Sequence, residues 1–353
     1  MLLIAEQPVT NHQSSITNYQ NMTKIQKLLF NTIQTQLPSY SVLENEVAKL
    51  LKIGLSDAFE LVRGQKKLEL SAAIRLANHF GISLNQLEEN TPTIMPFQYI
   101  GFDYNVHQLE DYFRLVLAEF QKVDMFGAKK MVYVASELPL FSIFQFPELA
   151  AFKLFFWGKT VYHLPEFKNK RFDVNFLNDE LVAYGETMWE AYLKFPSTEI
   201  WSSNIVNDVL TQIYFFWKYR IFKNKKDAIL ICDKLAQLLD HVEMQARVGK
   251  KFHPQRKLPQ EENYSLYYND VSVSNNTIWV QSTNRNIIFV SQNALNYLTT
   301  DNDIFVMQMS GWVRQLQQNS IKISSTNDQL RRNFFLQMKG NIDFIKQEIQ
   351  AGR

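Results

Sequence analysis

Apolar and polar positions follow a helical spacing in the first quarter of the chain, between residues 22 and 90. Apolar side chains recur there every three or four positions, as in an amphipathic helix. The periodic segments cover 24–35, 43–51, 55–63 and 71–80, and a fifth starts at Ser83. Gly64 and Gly81 follow the third and fourth segments, where a left-handed residue often ends a helix. We therefore predict five short helices over 22–90.

The same periodicity predicts which side chains of the third and fourth helices face inward. On the third helix these are Ala58, Leu61 and Val62. On the fourth they are Ala73, Ile74, Ala77 and Phe80. The opposite, exposed face of the third helix then carries Leu55, Ser56, Phe59 and Glu60. Such a division lets the helix pack on the domain with one side and present the other to solvent.

Two stretches beside this domain lack a helical period. Residues 1–21 are polar and rich in Asn, Gln and Ser, so we expect a flexible arm. Residues 91–101 contain Pro92 and Pro96, which favours a linker or a first edge strand.

The remaining residues, 102–353, combine helical periodicity with later strand patterns. Helices are predicted near 105–123, 140–157, 178–195, 203–222 and 226–248, with one strand at 131–135. A basic, proline-containing segment at 249–263 marks a candidate sub-boundary. Beyond it we predict strands at 264–273, 277–282 and 286–290, joined at hairpin lengths, then helices at 301–318 and 327–349 around a strand at 320–324. The fold class is therefore mainly α with a smaller β part: an α+β domain over 102–353 with a C-terminal antiparallel sheet and helices.

Composition indicates a globular protein. Apolar residues make up 46% and charged residues 20%, which argues against a disordered chain, and the net charge of +2 neither requires nor excludes nucleic acid. The single cysteine, Cys232, cannot form an internal disulfide, and its apolar neighbours predict a buried thiol. Since uninterrupted apolar runs of about 20 residues are missing from the sequence, we expect no membrane span and a cytoplasmic location.

Aromatic residues are concentrated after residue 97. They can build a thick core or a buried interface, or they can line a pocket for an apolar ligand. The residues that could enclose such a ligand are Phe152, Phe155, Phe156, Trp157, Tyr214, Phe215, Phe216 and Trp217.

Other patterns suggest neither a catalytic nor a metal site. The six histidines fall in no ligand spacing, and no pair of carboxylates is distinguished from surface charge. A basic run could contact phosphate or lie in a solvated linker; it comprises Lys250, Lys251, His253, Arg256 and Lys257. We therefore predict no catalytic residue, no metal and no cofactor.

The sequence of residues 47–87, VAKLLKIGLSDAFELVRGQKKLELSAAIRLANHFGISLNQL, resembles the lambda-repressor/Cro (XRE-type) family of helix-turn-helix regulators. It is more similar still to BetR-like regulators, which share an A…RG-x-K-x-L passage after the recognition helix, here Ala58 to Leu68. The resemblance covers about 65 residues, under a fifth of the chain. It implies a helix-turn-helix DNA-binding domain over 22–90 whose third helix enters the major groove of double-stranded DNA.

The family's docking geometry also implies which residues touch DNA. Leu55 and Ser56, at the start of the recognition helix, and Phe59, one turn later, would reach base edges. Beyond them, the phosphate contacts would come from Arg63, Lys66 and Lys67.

The chain departs from the family on the recognition helix. Gly54 stands where the family usually has a Ser cap, and Asp57 and Glu60 stand where basic residues are common. Residues 22–90 contain 8 Lys and Arg against 7 Asp and Glu, a net charge of +1, so a single domain should bind DNA weakly.

Together these features favour a repressor-like, DNA-binding transcriptional regulator. Because pairing multiplies a weak single affinity, we expect a homodimer, held mainly by the region after residue 97. Residues 102–353 would supply dimerisation, the sensing of a small-molecule effector whose identity the sequence does not reveal, or both. One alternative is a protein-interaction adaptor whose helix-turn-helix no longer binds DNA, and a less favoured one is an enzyme with this domain attached.

Overall fold

The computed structural model of the chain describes residues 13–38, 41–82, 84–87, 95–101, 109–125, 128–271, 273–283 and 285–352. The chain divides into two compact units, Met1–Pro96 and Phe97–Arg353, here called the N-terminal and C-terminal units. The division falls inside the 91–101 segment that was expected to be a linker or an edge strand. Gln98–Ile100 in that segment forms the first strand of the C-terminal unit, at one edge of its sheet.

In the described residues of the N-terminal unit, the regular secondary structure is helical. Its α-helices are α1 Gln13–Gln36, α2 Leu43–Leu51, α3 Leu55–Val62 and α4 Leu70–Phe80. The predicted fifth helix is a short 3-10 turn, Leu84–Leu87, and its predicted cap Ser83 lies outside the described residues. Gly81 ends α4 in the left-handed conformation, and Gly64 adopts the same conformation after α3. Both positions follow the sequence prediction.

One prediction for this unit is wrong at its start. Residues 13–21 were expected to belong to a flexible arm over 1–21, but they form the first turns of α1. Once the amphipathic part of α1 has nucleated, extension through residues that include neither Pro nor Gly costs little. Residues 1–12 lie outside the described part of the chain.

The core of the N-terminal unit is formed by the inner faces of its helices. Leu29 and Ile33 of α1 pack with Val47 of α2, and Ala58 and Leu61 of α3 are buried among them. On α4 the buried residues are Leu76 and Ala77. The predicted inward position of Ile74 is wrong, since this side chain is exposed. The helix has more apolar residues than one face can bury, so its phase could not be fixed by periodicity alone.

The C-terminal unit is built on one mixed sheet, which has eight strands in the described residues. They are β1 Gln98–Ile100, β2 Ala128–Val134, β3 Ser197–Trp201, β4 Tyr264–Tyr268, β5 Thr277–Ser282, β6 Asn286–Ser291, β7 Tyr297–Thr300 and β8 Ile321–Lys322. Their spatial order is β1-β7-β6-β5-β2-β3-β4-β8. The three neighbours β2, β3 and β4 run parallel, while the other adjacent pairs run antiparallel.

The α+β fold class is confirmed, but the predicted sheet needs correction. It is antiparallel only in part, because helical crossovers join β2 to β3 and β3 to β4. The predicted hairpin between β4 and β5 does not form, since β2 and β3 lie between them. The candidate sub-boundary at 249–263 lies within one continuous unit, and its ends are joined by hydrogen bonds from the Asn263 and Tyr264 amides to the Gly249 carbonyl, of 3.1 and 3.0 Å.

Helices cover both faces of the sheet. They are α5 Leu109–Met125, α6 Leu140–Ile143, α7 Pro147–Phe156, α8 Asp179–Lys194, α9 Asn207–Lys218, α10 Lys225–Val248, α11 Asp303–Gln318 and α12 Asp328–Ala351. The larger core joins Tyr133 and Trp201 of the sheet to α7, α10 and α12. A smaller core on the other face joins Val134 and Ile200 to Val313 of α11. The sheet is therefore the middle layer of the unit.

Candidate nucleic-acid interface

The outer face of α3 holds the residues that were expected to reach base edges. Leu55 and Phe59 are 49% and 37% exposed, and Ser56 is also exposed. On the opposite face Ala58 and Leu61 are buried. The helix is therefore fixed through one side while its N-terminal residues stand free of the core, as predicted from the periodicity.

The connection between α2 and α3 is a tight turn of three residues. Lys52 ends α2 in the left-handed conformation, with φ of 57°, and its amide donates to the Ala48 carbonyl. Gly54 occupies the cap position of α3 in an extended conformation, without a side-chain cap. The two helices are therefore joined by a turn of the length found in helix-turn-helix units.

Arg63 and Phe59 contact each other at the end of α3. The guanidinium carbon of Arg63 lies 5.3 Å from the centroid of the Phe59 ring, a distance at which a cation and an aromatic face attract. The charge therefore lies beside an apolar side chain of the same outer surface. Sequence spacing of four residues on a helix permits this pair.

Lys66 lies in the segment after α3 and forms an ion pair that the sequence did not predict. Its Nζ is 2.6 Å from Oδ1 of Asp57, and both side chains are about half exposed. The hydrogen bond and the charge of Asp57 raise the pKa of Lys66. Lys67 is also exposed. The structure thus holds Lys66 against α3 through Asp57, which partly neutralises its charge, and Lys67 follows it in the same segment.

Gln26 of α1 holds the segment after α3 in place. Its side-chain amide donates to the carbonyls of Leu61 and Lys66, at 2.7 and 2.8 Å. Its side-chain oxygen accepts from the Leu68 amide at 2.9 Å. One side chain therefore satisfies three backbone groups between the end of α3 and the start of α4. Gln26 was missed because the pairing spans 35 to 42 residues and leaves no periodic pattern.

A second cluster of chemical interest lies in the core of the C-terminal unit, around Glu199 of β3. The carboxylate accepts hydrogen bonds from the Tyr192 hydroxyl, from Trp201 Nε1 at 2.9 Å and from the Tyr264 hydroxyl at 3.2 Å. Burial raises the pKa of Glu199 to about 7, against the charge of Lys251 and the hydrogen bonds of Tyr264 and Trp201. Glu199 has no exposed surface, so we assign the cluster a structural role.

Lys251 corrects the interpretation of the basic run. It is buried, and its Nζ donates to the Tyr192 carbonyl at 2.6 Å while lying 3.7 Å from the centroid of the Tyr192 ring. Burial lowers the pKa of Lys251 to about 7. Lys250 is tied to the carbonyls of Pro259 and Gln260. Lys250 and Lys251 are therefore bound into the folded unit, whereas Arg256 and Lys257 of the same run are exposed.

Of the aromatic residues that could have enclosed a ligand, those of α7 form a packed core with Phe216 of α9, whereas Phe215 is 40% exposed. Phe152, Phe155 and Phe156 each pack against Phe216, with ring centroids 5.6, 6.0 and 5.1 Å apart. A separate apolar cavity of about 80 Å³ lies between α5, α6 and the sheet. Ligand pockets usually measure about 300–1,000 Å³. This cavity is smaller than a typical effector site.

Candidate metal ligands, membrane spans and the single cysteine were also compared with the sequence predictions. Within the described ranges, His, Cys, Asp and Glu side chains gather nowhere in a group of three that could hold a metal ion. Across that part of the chain, no helix has both the length and the apolar character that a bilayer crossing requires.

Cys232 is buried, and burial raises the pKa of its thiol to about 12.

No family model matches the chain, and no curated protein or solved structure matches it either.

Proposed function

We propose that this chain is a DNA-binding transcriptional regulator whose N-terminal unit inserts α3 into the major groove of double-stranded DNA. The observation that carries the proposal is the outer face of α3. Leu55, Ser56 and Phe59 stand exposed on a helix that is anchored through its other side. A free helix N-terminus of this kind can enter a groove about 12 Å wide.

The residues around α3 support a division of roles. Ser56 can hydrogen-bond to several bases, and the apolar Leu55 and Phe59 can contact thymine methyl groups. Lys66 and Lys67, in the segment that Gln26 fixes, are suited to phosphate contacts. In complex with DNA, a phosphate would compete with Asp57 for Lys66.

The small net charge of the N-terminal unit bears on affinity. Each phosphate contact adds to binding through release of counterions, so few lysines give weak binding by one copy. Two linked copies on paired half-sites bind much more tightly, since the second contact becomes intramolecular. We therefore propose that the functional form on DNA is a homodimer.

A second candidate function is that of a protein-interaction adaptor. Asp57 and Glu60 give the exposed side of α3 acidic character, and Leu70 and Ile74 of α4 are exposed apolar residues. These features suit contact with another protein as well as with DNA.

The experiment that separates the two functions is binding of the full-length protein to a pool of genomic fragments. Labelled fragments are retained and sequenced, and fluorescence anisotropy then measures affinity for enriched and scrambled sites over a salt series. The proposal predicts enrichment of a paired motif and affinity that falls with salt. The adaptor function predicts neither.

A further inference from the structure

The outer face of α12 carries two large apolar side chains that the C-terminal unit leaves in solvent. Leu336 and Phe344 are 68% and 62% exposed. The inner face of the same helix packs on the protein through Phe335, Met338 and Ile342. Lys339 pairs with Asp240 and Glu243 of α10, at 2.6 and 2.7 Å, and fixes the orientation of α12. The exposed pair is therefore presented by a well-anchored helix.

Gly340 lies midway between these two residues. A methyl group added at Gly340 would meet no described atom within 4 Å, so packing within the chain gives no reason for a glycine here. A glycine inside a helix costs about 1 kcal/mol relative to alanine. A glycine between two exposed apolar residues lets the backbones of two helices approach each other closely.

The sequence of α12 is symmetric about Gly340 in a way that fits a second copy of the same chain. Leu336 and Phe344 lie four residues to either side, and Arg332 and Glu348 lie eight residues to either side. In a two-fold antiparallel pair, residue i of one copy meets the residue equally far beyond the centre in its partner. Leu336 would then meet Phe344, and the positive Arg332 would meet the negative Glu348.

The spacing of four residues also favours one class of crossing angle between the two helices. Side chains four apart form ridges inclined to the helix axis, and two helices that pack through such ridges cross at about −50°. At that angle the ends of both ridges stay near each other, so the long side chains of Arg332 and Glu348 can reach across. In the single chain Arg332 is exposed and Glu348 is half-buried, and each lies eight residues from the centre of the contact.

We infer that two copies of this chain associate through α12 in an antiparallel, two-fold contact centred on Gly340. The inference goes beyond the DNA-binding proposal and does not rest on it. A contact through a single helix pair is smaller than the standard interface of about 1,200–2,000 Å², so we expect the free dimer to be weak.

The test is multi-angle light scattering of the full-length protein, without DNA, over a concentration series. Wild type should move from 41.5 kDa towards twice that mass as concentration rises. Gly340→Arg should remain a monomer throughout. Gly311→Arg is the matched control, because Gly311 lies on another helix, α11, where an added methyl group would likewise meet no described atom within 4 Å. It should associate like wild type. Leu336→Gln provides a milder disruption and should also remain monomeric.

Charge reversal tests the two-fold register itself. Arg332→Glu and Glu348→Arg should each weaken association about fivefold or more, because each places like charges opposite one another twice per dimer. The double variant should associate more strongly than either single variant. Within one chain the two positions lie about 24 Å apart along the helix, so an intramolecular pair cannot explain the rescue. A monomeric wild type, a Gly340→Arg protein that associates normally, or a double variant without rescue would overturn the inference.

Discussion

The side-chain amide of Gln26 donates a hydrogen bond of 2.8 Å to the carbonyl oxygen of Lys66, 40 residues further along the chain. Two further bonds, with Leu61 and Leu68, make this side chain the link between α1 and the segment that follows α3. The position of the segment that carries Lys66 and Lys67 therefore depends on a residue in another helix.

Replacement of Gln26 by leucine should destabilise the N-terminal unit and weaken DNA binding together. Three backbone groups lose their side-chain partner, and a loss of about 1–3 kcal/mol in the free energy of unfolding is expected. Urea denaturation measures the first effect and anisotropy the second. Gln34→Leu, at an exposed position of the same helix, is the control and should change neither. Unchanged stability in Gln26→Leu would show that water replaces these bonds without cost.

Charge reversal at Glu60 should strengthen DNA binding. Glu60 is exposed on α3, where a carboxylate repels the phosphate backbone. Glu60→Arg should raise affinity for all sequences and steepen the salt dependence. Glu166→Arg alters the net charge equally at an exposed site of the C-terminal unit and should have no such effect. Equal gains in both variants would trace the effect to overall charge instead of to this surface.

The outer face of α3 could be predicted because helical periodicity alone separates Ala58 and Leu61 from Ser56 and Phe59. The pairing of Lys66 with Asp57 could not, since it depends on how the chain turns after Gly64. Gln26 was hidden for the same reason: its partners are backbone groups far along the sequence.

The strands of the sheet could likewise be predicted from the sequence only in part. β5 and β6 form the predicted hairpin because a short turn joins two strands of alternating or apolar residues. β3 was missed because a parallel strand buried on both faces has no alternation, and it directly follows a helix. The burial of Lys251 depends on this missed strand, since Glu199 belongs to it.

Replacement of Glu199 by leucine should destabilise the C-terminal unit strongly. The hydroxyls of Tyr192 and Tyr264 and the indole of Trp201 lose a buried acceptor, and Lys251 loses the nearby negative charge. A loss of about 3 kcal/mol or more in the free energy of unfolding is expected. Glu166→Leu, at an exposed position, should lower the free energy of unfolding much less. A small decrease in the free energy of unfolding of Glu199→Leu would mean that the Tyr192, Trp201 and Tyr264 donors find other acceptors.

His241 should make stability fall with pH on the acid side. Burial lowers its pKa from 6.5 to about 4 in the folded protein, so the unfolded chain binds the proton first as pH decreases. Its contribution is therefore complete above pH 6.5 and lost as pH falls through 4, by at most about 3 kcal/mol. The ring lies against Phe252, and its Nδ1 is 2.8 Å from Oε1 of Gln145.

Comparison with His241→Gln isolates this contribution. The variant should be less stable at neutral pH but lose less stability between about pH 7 and pH 4.5, as measured by urea denaturation. Protonation of Glu199, whose raised pKa acts in the opposite direction, occurs in both proteins and cancels in the difference. Parallel pH curves for the two proteins would contradict the assignment.

The salt dependence of DNA binding by the full-length protein tests the central claim most directly. On an enriched site, log affinity should fall linearly with log salt. Lys66→Ala and Lys67→Ala should each weaken binding to all sequences and reduce the salt slope by about one, whereas Lys168→Ala in the C-terminal unit should leave it unchanged. Ser56→Ala should change base preference and keep the slope. Absence of salt-dependent binding, or one slope shared by all these proteins, would contradict the claim that α3 and the two lysines form a DNA-binding surface.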